Sequence, residues 1–576
     1  MKTKMKRHQS QNNFQKPNAK QFKQNKLQLN QDVLRYILSD FLYFDDVLNC
    51  KLSNSCFNVK LYQLNFETSE KINLDQLEKI NKEHIETFYF NIFALKLTSH
   101  ETKINKKFEI KKLEIKPSFY NKDIKLHFEN LKENQIEQIY FNNDYNHPIP
   151  DNFPKSLKEI QFGWNYSHPL PEKLPNSLKK INFGMGFRYN HSIPDILPDS
   201  LETMNITYFN SPLPKKLPSS LKEITFFIHS GQKLPENLPN SIEIIDVGNY
   251  KHVLPKHLPQ SLKEIRFGSD HNQKLPDNLP NSLEKIHLKT YTKPFPKNFP
   301  QSLKEIKIGN HCNRKLPDNL PDSLEKIEFG AHYNQALPNV FPLSLKYIKF
   351  GECFNQQLPE NLPEKLEYIE FGNRYDQPLP EKLPQQLKVL KFGKFFNQPI
   401  EHKLPDSIEI MKFGFCFFQS LTFEFPNSLK KLSIDCQNLK NPKIFETFPD
   451  SLKKINLYHS LNKPLPEKLP KHSKKIIFSY KFNQSIIGSK LPNSLKCIEF
   501  GMHFNQKIPE DLPDSIESIT MLSYERVLPK KLPKSLKEIM IGKTNQKKVL
   551  GKKYFVFDGF LHDENENLKI KIKHSH

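Results

Sequence analysis

The residue types that perform most protein chemistry are scattered along this chain rather than grouped. The motifs GxGxxG, GxxxxGK[ST], HExxH and GxSxG do not occur in the sequence. An enzyme needs several reactive groups that converge on one pocket. The sequence therefore predicts that the protein is not an enzyme, with no catalytic residues, no cofactor and no metal site.

The cysteines and histidines favour the same conclusion. The seven cysteines include no CxxC pair, which is typical of thiols that pack as small apolar side chains in a reducing compartment. Most of the 21 histidines, such as His287, His311 and His332, fall at variable positions of a repeat, so we expect them on the surface.

The chain lacks an apolar signal core and any long apolar stretch, which predicts a cytoplasmic protein without a membrane partner.

The elements that would position any site come from one sequence repeat. Residues 323–343 read SLEKIEFGAHYNQALPNVFPL, and residues 344–364 read SLKYIKFGECFNQQLPENLPE. The shared pattern is S-L-x-x-I-x-F-G-x-x-[F/Y]-N-x-x-L-P-x-x-L-P-x. Its first position recurs twenty times between residues 135 and 535, about 21 residues apart. This period predicts a repeat solenoid of the leucine-rich-repeat kind, in which each turn covers the apolar side of its neighbours.

Each part of the pattern predicts a local structure. The I-x-F part alternates with period two, which indicates a short strand with Ile and Phe on the same side. The following Gly suits a positive φ or a close backbone approach. The Asn of pairs such as Phe354–Asn355 can satisfy backbone groups in the turn, which we favour over a ligand-binding role. The L-P-x-x-L-P part predicts an extended return, so parallel strands lie on one face and Pro-rich segments on the other.

Charges of alternating sign occupy the position after the pattern Leu. Because neighbouring strands lie about 4.8 Å apart, we expect an opposite charge on the turns before and after each member. A structural role in register is favoured over a recognition stripe, since alternating charges cancel at a distance. The row comprises Glu202, Lys222, Glu243, Lys263, Glu284, Lys304, Glu325, Lys346, Glu367, Lys388, Glu409 and Lys430.

Only one tryptophan is present, and it falls directly after a pattern Gly. Trp164 is either a partner-binding anchor on an exposed face or a packed side chain.

The positive charge is concentrated in a tail and two late blocks. The formal net charge is +23. Residues 1–28 carry eight Lys or Arg and no acidic residue, which predicts a disordered basic arm. Residues 428–500 carry fourteen Lys against five acidic residues, and residues 525–553 are also basic. Binding of a polyanion through these late turns is an alternative to a solvated surface, although we do not expect nucleic acid as the main partner.

The segments outside the regular array divide into three parts. Residues 29–58 predict short helices, with Val33, Leu34 and Ile37 at helical spacing. Residues 59–134 keep a degraded form of the apolar spacing, which predicts divergent early repeats. Residues 135–545 hold the regular repeats, and residues 546–576 predict a C-terminal cap in which 554–561 covers the last strand edge.

Two families resemble these segments. The repeat, with S-L-K-x-I-x-F-G and F-N-Q-x-L-P, resembles the FNIP repeat, a relative of leucine-rich repeats. Residues 29–58 resemble an F-box, and the combination resembles F-box/FNIP repeat proteins of amoebae and their large DNA viruses. For a viral source the location would be the host cytoplasm. The F-box resemblance implies an adaptor-binding face made of Val33, Leu34, Ile37, Leu38, Val47, Leu48 and Leu52.

The resemblance implies a substrate receptor of a cullin-type ubiquitin ligase. The F-box-like unit would bind the ligase adaptor, and the solenoid would recognise the target protein. The alternative for residues 29–58 is a helical cap on the first turn, and the protein is then a protein-binding scaffold with no link to ubiquitin. Polyanion binding stays open as a third function.

Overall fold

A computed structural model describes residues 112–115, most of 136–541, and the segments 554–557, 560–563 and 570–574. Within 136–541 the description omits 144, 150, 152, 184–188, 190, 208–212, 228–232, 249, 270–271, 420–422, 436–443, 458–461, 463 and 490. The basic arm, the F-box-like segment and most of the predicted early repeats therefore lie outside the described residues. The chain divides into two compact units, Met1–Gly184 and Met185–His576.

The first unit contains four short parallel strands. These are β1 (Lys112–Ile115), β2 (Gln138–Phe141), β3 (Glu159–Phe162) and β4 (Lys180–Phe183). Each strand pairs with the next one along the chain, so that Ile139 lies beside Ile160, and Ile160 beside Ile181. Strand β1 lies in the segment predicted to hold divergent early repeats, and its pairing with β2 continues the same stack.

The second unit continues this pattern through seventeen strands. Each of them pairs in parallel with the following strand, from β5 to β21. The strands are β5 (Thr203–Thr207), β6 (Glu223–Phe227), β7 (Ile244–Asp246), β8 (Glu264–Phe267), β9 (Lys285–Leu288), β10 (Glu305–Ile308), β11 (Lys326–Glu328), β12 (Tyr347–Lys349), β13 (Tyr368–Glu370), β14 (Val389–Lys391), β15 (Ile410–Phe413), β16 (Lys431–Ile434), β17 (Lys454–Leu457), β18 (Lys475–Ile477), β19 (Cys497–Glu499), β20 (Ser518–Met521) and β21 (Glu538–Ile541).

The prediction of a leucine-rich-repeat-like solenoid is confirmed. The strands are three to five residues long, and the Pro-rich returns between them form no regular strand pairing with one another. The helical content of the described residues is one 3-10 helix, Ile444–Thr447. Proline explains the returns, because it lacks the N–H that a central strand or a helix needs.

The core of each turn is built from the apolar positions of the repeat. Burial alternates along most strands, which places the Ile and Phe of I-x-F inward together, as predicted. In the turn that begins at Ser344, the six apolar side chains are each at most 8% exposed: Leu345, Ile348, Phe350, Phe354, Leu358 and Leu362. A single turn cannot bury these side chains, so the turns depend on each other.

Aromatic rings form two columns through the stacked turns. Phe350 and Phe371 stack at 5.3 Å between ring centroids, and Phe354 and Tyr375 stack at 6.0 Å. Within one turn, Phe371 and Tyr375 stack at 3.9 Å. The columns add apolar contacts between successive turns, because rings such as Phe371 contact rings above, below and beside them.

The glycine that follows the strand is required by close backbone approach. A Cβ atom at Gly351 would lie far inside van der Waals contact with the carbonyl oxygen of Gly330, and one at Gly372 would meet Gly351 in the same way. Among the described glycines, only Gly248 and Gly488 have a positive φ. Gly351 and Gly372 therefore serve close backbone approach, the second role that the sequence allowed, whereas Gly248, which follows β7, has the positive φ of the first role.

The end of the chain adds three strands to the sheet. They are β22 (Tyr554–Phe557), β23 (Phe560–Asp563) and β24 (Ile570–His574). Strands β22 and β23 pair antiparallel, but β24 is the strand that pairs with β21, in parallel. The residues beside the last repeat strand are thus 570–574 rather than 554–561. In the described part of the chain, no helix has the length and apolarity needed to cross a membrane.

Candidate protein-interaction surface on the strand face

Three rows of side chains run across the solvent side of the sheet in the second unit. Row 1 is the residue two places before the strand Ile or its equivalent, row 2 is the residue directly before it, and row 3 is the residue directly after it. Parallel pairing brings equivalent residues of successive turns side by side, about 4.8 Å apart. Residues about 21 positions apart in sequence therefore become neighbours on one surface.

Row 1 contains the alternating charges, and they form separate pairs. The Lys222 Nζ lies 3.0 Å from the Glu202 carboxylate, and Lys263 lies 2.7 Å from Glu243. Equivalent pairs recur in later turns, each joining a Lys to the Glu of the preceding turn. From Lys222 to Glu409 each charge has an opposite charge on the turns before and after it, as expected, but each Lys forms its ion pair with the preceding Glu only.

Glu517 is the exception in row 1. Its carboxylate lies 2.7 Å from Lys496 and 2.7 Å from Lys537, on the turns before and after it. Hydrogen bonds from these two lysines lower the pKa of Glu517 to about 2. The pairs are exposed, so we expect them to favour one register rather than to add much free energy of folding.

Rows 2 and 3 form a charge-balanced network from β8 to β11. The Arg266 Nε lies 2.6 Å from Glu264. His287 lies between two carboxylates, 3.6 Å from Glu264 and 3.5 Å from Glu305. Lys326 continues the network, 3.2 Å from Glu305. Opposite charges therefore neutralise this part of the face.

His287 differs from the surface histidines that the sequence predicts. Its side chain is 25% exposed, and burial lowers its pKa although Glu264 and Glu305 act to raise it. His311 and His332 are exposed, as expected, with ring centroids 5.1 Å apart. His287 is therefore a half-buried residue of the strand face, whose ring lies between the side chains of neighbouring turns.

Glu370 is the most strongly perturbed carboxylate of row 3. Lys349 lies 3.0 Å from it, Lys391 lies 2.9 Å from it, and the Tyr368 hydroxyl donates a hydrogen bond to it. Burial acts to raise the pKa of Glu370, but these three donors lower it to about 2. The carboxylate is thus ionised at neutral pH and joins three adjacent strands.

Row 2 changes character between β12 and β18. Tyr347, Tyr368, Val389 and Ile410 occupy it on four successive strands, and we name these residues the apolar strip. The two tyrosine rings stack at 4.2 Å, and all four side chains are half-buried. On the next three strands the same row carries Lys431, Lys454 and Lys475. The register thus joins an apolar segment directly to a cationic one.

Lysines dominate the face from β15 to β18. We name five of them, which have no ion pair among the described residues, the lysine patch: Lys412, Lys431, Lys453, Lys454 and Lys474. Lys430 and Lys475 lie beside the patch, and they pair with Glu409 and Glu499. Burial lowers the pKa of Lys431, and its neighbours Lys454, Lys391 and Lys412 lower it further. The alternation of sign seen in earlier turns is therefore lost here.

The asparagine of the repeat links successive turns. The Asn334 Oδ1 accepts a hydrogen bond from the Asn355 backbone N–H at 2.9 Å and another from the Gln356 side chain at 3.1 Å. Asn355 makes the same contacts with the following turn. These asparagine side chains are half-buried rather than fully buried. The backbone N–H to which each of them provides an acceptor belongs to the next turn. The structure therefore gives the asparagine column a structural role.

A second ladder, formed by the serine at the first repeat position, was not assigned a role from the sequence. The Ser344 Oγ donates to the Leu324 carbonyl at 2.7 Å, and Ser323 donates to Leu303 at 2.8 Å. The conserved spacing of Ser within the repeat was the available signal. The acceptor lies in the preceding turn, so it becomes visible only when the stacking is known.

The predicted site residues lie in two places. Trp164 is 55% exposed, in the first unit, and its backbone N–H contacts the Asn143 side chain at 3.3 Å. An anchor role for Trp164 stays a prediction. The seven F-box-like residues, Val33, Leu34, Ile37, Leu38, Val47, Leu48 and Leu52, lie outside the described residues. No group of His, Cys, Asp or Glu suited to a metal ion is found in the part of the chain that the structure describes.

Comparison with known proteins first defines a class. The chain is similar to CroV588, described as a novel circular LRR protein, with 28% sequence identity and a TM-score of 0.62, over 84% of this chain and 79% of that chain. YopM from Yersinia enterocolitica WA-314 has 20% identity and a TM-score of 0.46, over 67% and 82%. YopM from Yersinia pestis has 24% identity and a TM-score of 0.41, over 56% and 88%. The first similarity shows a leucine-rich-repeat-like solenoid.

The family follows from the repeat itself. The chain contains FNIP repeats, as its sequence predicts, since the family model described as FNIP Repeat matches nine segments. These are 134–165, 145–186, 251–291, 271–311, 291–332, 313–353, 354–395, 396–437 and 482–524. None of the curated proteins compared with the chain matches it.

Proposed function

We propose that the protein is a non-enzymatic substrate receptor of a cullin-type ubiquitin ligase. The solenoid binds a target protein, and residues 29–58 bind the ligase adaptor. The main support is the strand face, which offers a continuous extended surface over the seventeen strands of the second unit. Solenoids use such surfaces to bind proteins. The adaptor role is supported by the spacing of apolar residues in 29–58.

The adaptor role is tested by co-purification of the full chain with the F-box-binding adaptor of a cullin-type ligase. The double variant Leu34→Asp and Leu38→Asp should abolish binding, because it places two charges on the predicted apolar helix face. Arg35→Asp with Ser39→Asp is the matched control, since these positions lie on the other side of the predicted helix and should leave binding intact.

Two outcomes would refute the adaptor role. Either the unchanged chain fails to bind the adaptor, or the Leu34→Asp and Leu38→Asp variant still binds it. The protein is then a solenoid scaffold, and removal of residues 1–58 should leave its protein partners unchanged. This second candidate is favoured by the same strand face, which does not depend on residues 29–58.

A further inference from the structure

The transition within row 2 is the feature that the proposed function does not explain. Over β12 to β15 the row presents the half-buried side chains of Tyr347, Tyr368, Val389 and Ile410, and over β16 to β18 it presents lysine. The two segments share one row and one register, so they form one continuous surface across seven strands. The six steps between these strands span about 29 Å.

The lysine patch is costly for folding. Like charges directly opposite each other on neighbouring strands destabilise a sheet. Lys431 faces Lys454 across one strand pair, and Lys454 faces Lys475 across the next. In row 1 the succession Lys430, Lys453, Lys474 and Lys496 also places lysines on four turns in a row. The row 1 residues from Glu202 to Lys430 avoid this arrangement by alternating the sign, so the lysine content of the chain does not by itself explain it.

Few acidic residues lie close to the patch in sequence: Asp435 directly follows β16, and Glu446 and Asp450 precede β17. Residues 436–443, which follow Asp435, contain two lysines and no Asp or Glu, and residues 458–461, which follow β17, contain no Lys, Arg, Asp or Glu. In row 3, Ser433 and Asn456 are buried and neutral, and the Asn456 side chain donates to Ser433 at 3.1 Å. The cationic character of the face therefore persists over β15 to β18, with Glu409 and Glu499 at its borders.

We propose that the apolar strip and the lysine patch together bind an extended segment of a target protein that is apolar at one end and acidic at the other. The apolar end contacts Tyr347, Tyr368, Val389 and Ile410, and the acidic end contacts the lysines. An extended chain of about nine residues covers this distance at about 3.3 Å per residue. Acidic side chains would remove the repulsion among the lysines, and this gain is available only in the complex.

The apolar strip favours a protein segment over a nucleic acid. Nucleic-acid surfaces usually interleave basic residues with aromatic rings that are free to stack on bases. Here the faces of Tyr347 and Tyr368 stack on each other, and Lys391 lies over the Tyr368 ring at 4.9 Å from its centroid. Val389 and Ile410, which continue the row toward the lysines, offer no stacking face. This proposal rests on the proposed function in one respect, namely that the strand face binds the target.

The test selects ligands for the full chain from a phage-displayed library of random peptides of about 12 residues, long enough to span the surface. We expect enriched peptides with acidic residues at one end and apolar residues at the other. Synthetic peptides of the enriched sequences are then titrated by fluorescence anisotropy. Lys431→Glu with Lys454→Glu should weaken their binding about tenfold or more, because attraction becomes repulsion.

Two further variants make the result specific. Lys256→Glu with Lys297→Glu changes the net charge equally, at exposed positions of the Pro-rich returns, and should leave the affinity unchanged. Val389→Ser with Ile410→Ser should reduce the affinity of the whole peptide to that of its acidic half. Thermal melting checks that each variant folds, and Lys431→Gln with Lys454→Gln replaces the charge-reversal variant if that one does not fold.

Several results would overturn the proposal. The selection could enrich no peptides, or peptides without acidic residues. The control variant Lys256→Glu with Lys297→Glu could weaken peptide binding as much as Lys431→Glu with Lys454→Glu does. A single-stranded oligothymidine could bind more tightly than the peptides, with its binding abolished in the Lys431→Glu and Lys454→Glu variant. Adaptor binding is measured separately on the lysine variants and should be unchanged. Failure of the adaptor test alone would remove the ubiquitin-ligase role and leave this surface intact.

Discussion

The asparagine ladder permits a sharp test of how successive turns hold together. Replacing Asn334 by Ala removes the oxygen that accepts hydrogen bonds from the Asn355 N–H, at 2.9 Å, and from the Gln356 side chain, at 3.1 Å. The apolar core is untouched, because the Asn334 side chain is half-buried outside the aromatic columns. Any loss of stability therefore measures the ladder rather than the packing.

The expected magnitude follows from the two lost hydrogen bonds. A net hydrogen bond contributes about 0.5–1.5 kcal/mol, and water can partly replace the lost acceptor at a half-buried site. We expect a loss of about 1–2 kcal/mol, which corresponds to about a 5–30-fold change in the local opening equilibrium. The effect should be confined to adjacent turns, since each repeat contacts only its neighbours.

Amide hydrogen exchange measures this loss at the level of single turns. Exchange at Asn355 should accelerate in the Asn334→Ala variant, with a lower melting temperature, while distant turns stay unchanged. Asn334→Asp is the matched control, because Asp376 already performs the same role in this chain, accepting the Asn397 N–H at 2.8 Å. Equal protection of Asn355 in the Ala variant and the unchanged protein would refute the structural role.

Two further predictions concern single residues of the second unit. Gly372→Ala should reduce the free energy of unfolding by about 1–3 kcal/mol or more, because the new Cβ meets the Gly351 carbonyl and forces the turns apart. The melting temperature should fall accordingly, and an unchanged melting temperature would contradict the close approach. Glu370→Gln should reduce the acid sensitivity of folding, measured as the free energy of unfolding against pH. The pKa of Glu370 is about 2 in the folded protein, below its ordinary value of 4.5. The ionised carboxylate therefore contributes its full stabilisation of the folded state above pH 4.5, and this stabilisation is lost as the pH falls from 4.5 toward 2. This stabilisation by Glu370 is at most about 3 kcal/mol. If the free energy of unfolding changes with pH in the same way in the Glu370→Gln variant and the unchanged protein, the stabilisation is absent.

Much of the fold was predictable because the repeat is regular. The I-x-F alternation predicted the strand of each turn and its inward Ile and Phe, as at Ile348 and Phe350. The prolines predicted an extended return in every turn, because proline lacks the N–H that a central strand or a helix needs. The surface was less predictable, because a side chain such as His287 takes its environment from two other turns.

The order of residues alone specified the solenoid, its period and the apolar side of each strand, since these depend on periodicity within one turn. Only the stacking of turns decided that the row 1 lysines from Lys222 to Lys430 pair with the preceding Glu, and that the strand glycine is needed for close approach. The same stacking joined Ile410 to Lys431 in one surface. Contacts between residues about 21 positions apart exist only once the register of neighbouring strands is set, and the packing of the shared core sets that register.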